Sequence, residues 1–221
     1  MNTPFLRIAP EGISILFVLA LCGWIFSFLG LGVFSFLCLL AFGFSLYFFR
    51  DPERESDSPD DCLTAPSDGK VLEVVTETES SFLNREVTRV SVFLSLFDCH
   101  VNWFPVSGEV TARERVDGKF GFGFSSAASR ENERLATVIK PSGGGPELVV
   151  VQVAGFVARR IISHASRGDV LKRGQRFGII KFGSRIDLFL PPEYKVEVRK
   201  GDILTGAETV VARLARGGDG E

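Results

Sequence analysis

The sequence is short of histidine, paired cysteine and net charge, and each shortage narrows the possible functions. Only two histidines, His100 and His164, occur in 221 residues, so a mechanism that needs an imidazole has few candidates. A formal net charge of -2 provides no basic surface for nucleic acid, so we expect no nucleic-acid partner. The four cysteines are Cys22, Cys38, Cys62 and Cys99. Because no two form a Cys-x-x-Cys pair, we expect reduced thiols, no metal site and a domain that faces the cytosol.

Charge is also missing from one long segment, because no charged residue occurs between Gly12 and Phe49. A single membrane-spanning helix needs about 20 apolar residues, so this run is too long for one helix and suits two. Gly30-Leu31-Gly32 lies at its middle and is the natural turn. The pattern predicts a hydrophobic helical hairpin, with arms at roughly Ile13–Leu29 and Val33–Phe49.

Basic residues flank the hairpin on both sides, with Arg7 before it and Arg50 and Arg54 after it. This distribution predicts that both ends face the cytoplasm, at the cell (inner) membrane. A cleaved signal peptide is disfavoured, because the apolar run is too long and no small-x-small cleavage site follows it. A hairpin that lies in one leaflet stays open as an alternative, because each arm has only about 17 residues.

Beyond the hairpin (residues 1–50) we predict an acidic, proline-containing linker (residues 51–61) and a catalytic β domain (residues 62–221). Apolar residues alternate with period two in the β domain, as in strands with one buried face. The predicted strands are 69–78, 86–95, 108–116, 135–140 and 147–154. The glycine-rich segment Pro141–Pro146 joins two of them as a hairpin turn and opens no helix, so it is not a phosphate cradle. Ala158–Ala165 suits either a strand or a short helix.

Many short strands with few helical stretches predict a mainly β fold, an antiparallel barrel or sandwich. Residues 168–180 and 198–212 each place a glycine turn between short apolar runs. This echo gives the fold lipoyl-like hammerhead character, although two ordinary hairpins would produce the same pattern.

The chemical hypothesis starts from Gly183-Ser184, which interrupts two strand-like runs. The Ser184 hydroxyl is next to the Gly183 carbonyl carbon and can attack its own peptide bond. An imidazole such as His100 can remove the hydroxyl proton, and a carboxylate such as Asp68 can orient an imidazole. Each residue also has a structural interpretation: Gly-Ser and Asp-Gly are common in turns, and a histidine between strands is often a structural hydrogen bonder. Arg159-Arg160 suits either a solvated strand end or a phosphate contact.

Several motifs in order along the chain resemble those of short-type phosphatidylserine decarboxylases of bacteria and archaea. They are Phe48-Phe-Arg-Asp-Pro52, Ala65-Pro-Ser-Asp-Gly-Lys-Val71, His100-Val-Asn102, Pro105-Val-Ser-Gly108, Gly118-Lys-Phe120, Asn132-Glu-Arg134, Gln152-Val-Ala-Gly155, Ala158-Arg-Arg160, Gly174-Gln-Arg-Phe-Gly178 and Phe182-Gly-Ser-Arg185. Each motif alone is weakly specific, whereas the set is highly specific.

The resemblance implies a zymogen that cuts itself at Gly183-Ser184 into a β chain (1–183) and an α chain (184–221). Residue 184 then becomes a covalently bound pyruvoyl cofactor, and Asp68 and His100 assist, with His100 as base. The resemblance further implies a lyase of phospholipid biosynthesis, which converts phosphatidylserine in the membrane to phosphatidylethanolamine and CO2 through a Schiff base. The two chains would form a heterodimer, which could assemble further. The candidate headgroup contacts are Arg159, Arg160 and Arg185.

One departure from the family pattern leaves the final proton donor open. Longer members carry a second histidine soon after the first, whereas Trp103 lies three residues beyond His100 here. Two other functions stay open on the sequence. One is a pyruvoyl decarboxylase of a different serine-headgroup lipid, such as an archaeal one, and the other is a non-catalytic, membrane-tethered β domain that binds a partner.

Overall fold

The chain separates into two compact units, residues 1–53 and residues 54–221. The structure is a computed structural model, and it describes residues 7–117, 133–155, 161–181 and 184–215. The first unit contains two helices, and the second contains fourteen strands within the described ranges. The chain is therefore mainly β with an N-terminal helical hairpin, as the sequence predicts.

The hairpin consists of α1 (Pro10–Phe28) and α2 (Gly32–Phe48). Its arms begin and end within three residues of the predicted bounds. Pro10 starts α1, where its missing N–H is no loss, and Gly30 turns the chain with a φ of 70°. The 19 residues of α1 are long and apolar enough to cross a membrane, whereas α2 is shorter, with 17 residues.

Small side chains let the two helices approach each other. The Ser35 hydroxyl donates a hydrogen bond of 2.9 Å to the Gly23 carbonyl oxygen on the opposite helix. A methyl group at Gly23 would lie only 3.3 Å from the Cβ of Cys38. Such contacts are typical of helices that pack in lipid, where apolar surface alone gives no drive for association.

The β domain is built from one large antiparallel sheet and two small ones. Its strands are β1 (Cys62–Thr64), β2 (Gly69–Glu79), β3 (Arg85–Leu94), β4 (Val101–Trp103), β5 (Gly108–Val116), β6 (Arg134–Pro141), β7 (Leu148–Ala154), β8 (Ile161–Ser163), β9 (Val170–Leu171), β10 (Arg176–Ile180), β11 (Ser184–Leu190), β12 (Tyr194–Val196), β13 (Ile203–Leu204) and β14 (Val210–Leu214). The large sheet has the order β13-β2-β3-β11-β7-β6-β5-β9, and the small sheets have the orders β4-β10-β8 and β1-β14-β12.

The predicted strands are present with small shifts at their ends. Pro141–Pro146 joins β6 to β7, which pair antiparallel, so the glycine-rich segment is a hairpin turn as predicted. Within the ambiguous segment Ala158–Ala165, residues 161–163 form strand β8, while residues 158–160 lie outside the described residues.

Strand β11 lies at the centre of the large sheet, between β3 and β7. Because side chains alternate along a strand, Ile186, Leu188 and Leu190 point into the main core and are fully buried. Ser184 shares this inner face by the same alternation. The strand before it, β10, belongs to a different sheet, so the chain passes from one sheet to another after Ile180 and before Ser184.

Candidate active site

Ser184 is the first residue of β11 and is completely buried. It is paired with Leu94 on β3 and with Ala154 on β7, both of which are also fully buried. Among the described residues, its hydroxyl has no hydrogen-bond partner. A buried polar atom without a partner costs free energy, so this hydroxyl is a candidate for a role other than structural support.

His100 is 1% exposed and precedes strand β4. Its Nδ1 lies 3.0 Å from the carbonyl oxygen of Asp98. A carbonyl oxygen can only accept, so this hydrogen bond requires a proton on Nδ1. In a neutral imidazole Nε2 then carries no proton and can act as a base.

Backbone pairing brings the segment before Ser184 close to His100. Ser184 is the register partner of Leu94, and the N–H of Ile180 donates to the His100 carbonyl oxygen at 3.2 Å. The segments 94–100 and 180–184 are therefore joined at both ends. Gly183 lies outside the described residues.

Asp68 lies at the same end of the large sheet, immediately before β2. Gly69 begins that strand with a φ of 143°, and a methyl group there would lie 2.3 Å from the Phe93 carbonyl oxygen. The Asp-Gly turn is thus real, and glycine is required because of the close backbone approach. Phe93 is in turn the register partner of Arg185, so Asp68 and Ser184 lie near one edge of the same three strands.

The carboxylate of Asp68 forms an ion pair with Arg54. Arg54 donates to both carboxylate oxygens, with 3.0 Å to Oδ2, and the Gly206 N–H donates to Oδ1 at 2.8 Å. The sequence hypothesis has a carboxylate, that of Asp68, orient the imidazole of His100. In the structure the backbone carbonyl of Asp98 accepts the hydrogen bond from His100 Nδ1. Asp68, Arg54 and Gly206 are therefore held together by hydrogen bonds and form one wall of the candidate site.

Arg54 also contacts Trp103, which lies in strand β4, the strand that follows His100. Its guanidinium carbon lies 4.5 Å from the centre of the Trp103 ring, and the Trp103 N–H donates to the Pro66 carbonyl oxygen at 2.9 Å. Burial alone would lower the pKa of Arg54, but Asp68, and to a lesser extent the nearby Cys99, raise it above its usual value. The guanidinium is therefore a permanent positive charge near Cys99, the residue before His100.

A chain of amides holds the backbone of His100 from the other side. Asn102 Nδ2 donates to the His100 carbonyl oxygen at 3.3 Å, and Gln152 Nε2 donates to Asn102 Oδ1 at 2.7 Å. Asn102 and Gln152 are both fully buried. The sequence placed both in motifs but assigned them no role, because nothing in their spacing shows that β4 and β7 meet. Gln152 is the register partner of Ile186, which lies on the same face of β11 as Ser184, so Gln152 and Ser184 share one core face.

The three candidate headgroup arginines differ in what the structure describes. Arg185 is 3% exposed and donates to Asp187 Oδ2 at 2.8 Å, on the face of β11 opposite Ser184. That face lines a separate cavity of about 350 Å³, to which Asp187 and Phe189 contribute. Arg185 is thus already paired with a carboxylate. Arg159 and Arg160 lie outside the described residues.

The described geometry suits a reaction that begins at the Ser184 hydroxyl. It combines a buried hydroxyl without a hydrogen-bond partner among the described residues, a histidine whose segment is tied by backbone hydrogen bonds to the strands around that serine, and hydrogen bonds that hold this histidine. A hydroxyl beside such a base is the arrangement that activates a serine nucleophile. The buried position keeps bulk water away from the Ser184 hydroxyl.

Comparison with known proteins agrees with the geometry. A family model described as phosphatidylserine decarboxylase matches residues 41–212, which is more than half of the chain. A phosphatidylserine decarboxylase proenzyme of Geobacter metallireducens is 38% identical and covers 96% of this chain and 98% of its own length. Another, of Anaplasma phagocytophilum, is 43% identical and covers 91% of this chain and 87% of its own length. A third, of Syntrophotalea carbinolica, is 37% identical over 94% and 96%. The chain belongs to the phosphatidylserine decarboxylase family.

Proposed function

We propose that this chain is a precursor that cuts itself between Gly183 and Ser184 and then decarboxylates phosphatidylserine. The relatives are named as proenzymes of phosphatidylserine decarboxylase, which supports both halves of the proposal. The observation that carries it is the buried hydroxyl of Ser184, which has no hydrogen-bond partner among the described residues and lies in a strand tied by backbone pairing to the segment that leads to His100. Such a hydroxyl is costly as a structural group, and a hydroxyl that is consumed after folding explains why it is tolerated.

The first step is attack of Ser184 Oγ on the Gly183 carbonyl carbon, with His100 Nε2 taking the hydroxyl proton. The C–N bond between the two residues breaks, and an ester joins them instead. Removal of the Ser184 Cα proton then expels the Gly183 carboxylate and leaves a dehydroalanine. Its tautomer, an imine, takes up one water and releases ammonia. The products are a β chain that ends at Gly183 and an α chain that begins with a pyruvoyl group at residue 184.

The surroundings of residue 184 suit this group. Leu94 and Ala154 would hold it from the two neighbouring strands, and His100 would lie beside it. Its carbonyl supplies an electron sink for loss of carbon dioxide from an amine-bearing substrate, which ordinary side chains lack. His100 then has a second task, because its Nε2 can return a proton. Asp68 and Arg54 would keep the wall of the site in place during both reactions.

The fold accounts for how the two chains would stay together after the cut. The α chain begins with β11, which is hydrogen-bonded on one side to β3 and on the other to β7, and both partners belong to the β chain. The α chain also contributes β14, which pairs with β1. We therefore expect a heterodimer that separates only on denaturation. The apolar hairpin supports attachment to the membrane that holds the substrate, and the flanking arginines favour a cytoplasmic β domain.

Intact-mass spectrometry of the purified full chain tests the proposal. The native sequence should give two masses, a fragment ending at Gly183 and a fragment whose first residue is pyruvoyl, whereas Ser184→Ala should give one uncut mass. Ser163→Ala is the matched control, because the Ser163 hydroxyl is also buried without a hydrogen-bond partner among the described residues. It should be cut normally. Cutting of Ser184→Ala would refute the assigned bond, and a cut native chain that releases no CO2 from phosphatidylserine would refute the substrate.

A further inference from the structure

The inference concerns a tight turn, Ser95–Asp98, between β3 and His100. The Asp98 N–H donates to the Ser95 carbonyl oxygen at 3.0 Å, and Asp98 Oδ2 accepts from the Ser95 N–H at 2.7 Å. Turns of this kind usually carry glycine, proline, asparagine, aspartate or serine at their centre. Here the two central residues are Leu96 and Phe97. Large apolar side chains therefore occupy positions that turn chemistry would fill with small or polar ones.

Both apolar side chains point outward. Leu96 is 44% exposed and Phe97 is 69% exposed, whereas Leu94 and Cys99 at the two ends of the segment are fully buried. Within the described part of the β domain, the exposed large apolar residues are Leu96, Phe97, Val170 and Ile203. Leu96 and Phe97 are the adjacent pair among them. The hydrogen bonds of the turn hold the pair at its apex.

The same turn also holds His100. The Asp98 side chain closes the turn, and the Asp98 carbonyl accepts the hydrogen bond of His100 Nδ1 at 3.0 Å. One short segment thus carries an exposed apolar pair on its outside and orients the candidate base on its inside. We propose that Leu96 and Phe97 insert into the acyl region of the phospholipid bilayer and place the site against the lipid headgroups. The proposal rests on the proposed function, because it assumes a substrate that is a phospholipid.

A bilayer explains this pair better than a protein partner does. A stable protein interface buries about 800 Å² on each partner, whereas one aromatic side chain contributes only about 150–250 Å². Two side chains are too few for such an interface. A bilayer needs no matching surface, and aromatic and leucine side chains are common on elements that enter its interface. A phospholipid substrate also keeps its acyl chains in the bilayer, so the site has to approach the headgroup.

Kinetics on two substrates test the role of the pair in the full-length chain. The double variant Leu96→Ser/Phe97→Ser is compared with the native sequence and with Val170→Ser, which removes an equally exposed apolar residue from strand β9. Self-cutting, read by intact mass, should be normal in all three. For long-chain phosphatidylserine in vesicles, kcat/KM of the double variant should fall about tenfold, the effect expected for losing roughly one buried apolar side chain. For dibutyryl-phosphatidylserine, which is dispersed in water, it should not change. Equal losses on both substrates, or no loss on vesicles, would overturn the proposal.

A fluorescence measurement tests the contact without relying on catalysis. Phe97→Trp is made in a Trp24→Phe background, which leaves the buried Trp103 as the common signal. The chain is reconstituted into vesicles that contain phosphatidylcholine brominated on its acyl chains. Position 97 should add emission that the bromine quenches, beyond any quenching in Trp24→Phe alone. Emission from position 97 that bromine does not quench would overturn the lipid contact even if the decarboxylase proposal holds. Quenching without any decarboxylation would leave the contact and remove the proposed function.

Discussion

The hairpin and the β domain use apolar residues in opposite ways. Apart from four in the β domain, every large apolar side chain that is exposed in the described residues belongs to the hairpin, including Trp24 at 67% and Phe28 at 81%. In the β domain, by contrast, residues such as Val90 and Leu188 are fully buried. The hydrophobic effect is the same in both regions, so the difference lies in the solvent. This difference is expected if the hairpin lies in lipid and the β domain in water, as we propose.

The two regions also differ in how they treat polar atoms. The hairpin has an uncharged run with few side-chain hydrogen bonds, of which the Ser35–Gly23 bond joins the two helices. The β domain buries charged and amide groups, and most have partners, as Asp68 and Gln152 do through their respective hydrogen bonds. The Ser184 hydroxyl has no partner among the described residues, as is also true of a few other buried hydroxyls such as that of Ser163. Ser184 is the better candidate for chemistry because its strand pairs with Leu94, at the start of the segment that leads to His100.

The same substitution in the two regions should give very different results. Leu188→Ala removes a fully buried side chain from β11 and should lower the free energy of unfolding by about 2–5 kcal/mol. Leu39→Ala, at a position that is 63% exposed, should change the unfolding of the β domain by less than about 0.5 kcal/mol. Urea unfolding of the detergent-solubilised chain, followed by Trp103 fluorescence in a Trp24→Phe background, measures both. Both are made with Ser184→Ala, so that a single chain unfolds.

An equal loss in free energy of unfolding for Leu39→Ala and Leu188→Ala would contradict the difference between the hairpin and the β domain. It would mean that the outer face of α2 packs against protein and not against lipid. A small cost at both positions would instead mean that β11 is not part of the core that unfolds cooperatively.

The two tyrosines of the chain sharpen the comparison further, because Tyr47 is on α2 and Tyr194 is in the β domain. Tyr194 is 4% exposed and donates to the Pro146 carbonyl oxygen at 2.8 Å. Burial, and to a lesser extent the charge of Glu193, raises its pKa from 10.0 to about 12. A raised pKa stabilises the fold at low pH, and that contribution is lost as pH rises between these two values.

Tyr194→Phe should therefore reverse its effect with pH. At neutral pH it loses a hydrogen bond and should cost about 0.5–1.5 kcal/mol. As pH rises from 10.0 to about 12, the free energy of unfolding of the native chain falls by up to about 2.7 kcal/mol, because Tyr194 ionises more easily in the unfolded chain. The variant has no such group, so it should become the more stable chain near pH 11. Urea midpoints at a series of pH values check this. Tyr47→Phe is the control, and a reversal in that variant, or none in Tyr194→Phe, would contradict the assignment.

The architecture was predictable because it depends on patterns along the chain. An uncharged run gives the hairpin, and period-two alternation gives strands such as β5 and β6. His100 could be singled out because histidine is scarce. The partners of these residues were not predictable, because they come from distant or featureless positions. Arg54 lies in a segment that reads as a linker, yet it pairs with Asp68. The group that orients His100 is the backbone carbonyl of Asp98, and a carbonyl has no signature in a sequence.

The smallest effect should come from an ion pair that stays in water. Arg85 and Glu193 are 37% and 45% exposed, and slight burial of Glu193 is outweighed by its hydrogen bonds with Arg85, which lower its pKa below 4.5. Arg85→Ala should therefore cost less than about 1 kcal/mol at neutral pH, because solvent and salt screen the pair. A lowered pKa stabilises the fold above the unfolded value, and that contribution is lost as pH falls through the lowered pKa of Glu193. The cost of Arg85→Ala should therefore vanish in acid, and also in high salt. Arg89→Ala, whose side chain is 14% exposed and pairs with Glu73 and Glu77, is the matched control and should cost more. Urea unfolding at low and high salt measures the loss in free energy of unfolding for both variants. If Arg85→Ala loses as much as Arg89→Ala, and the loss does not depend on salt, burial does not set the strength of ion pairs in this domain.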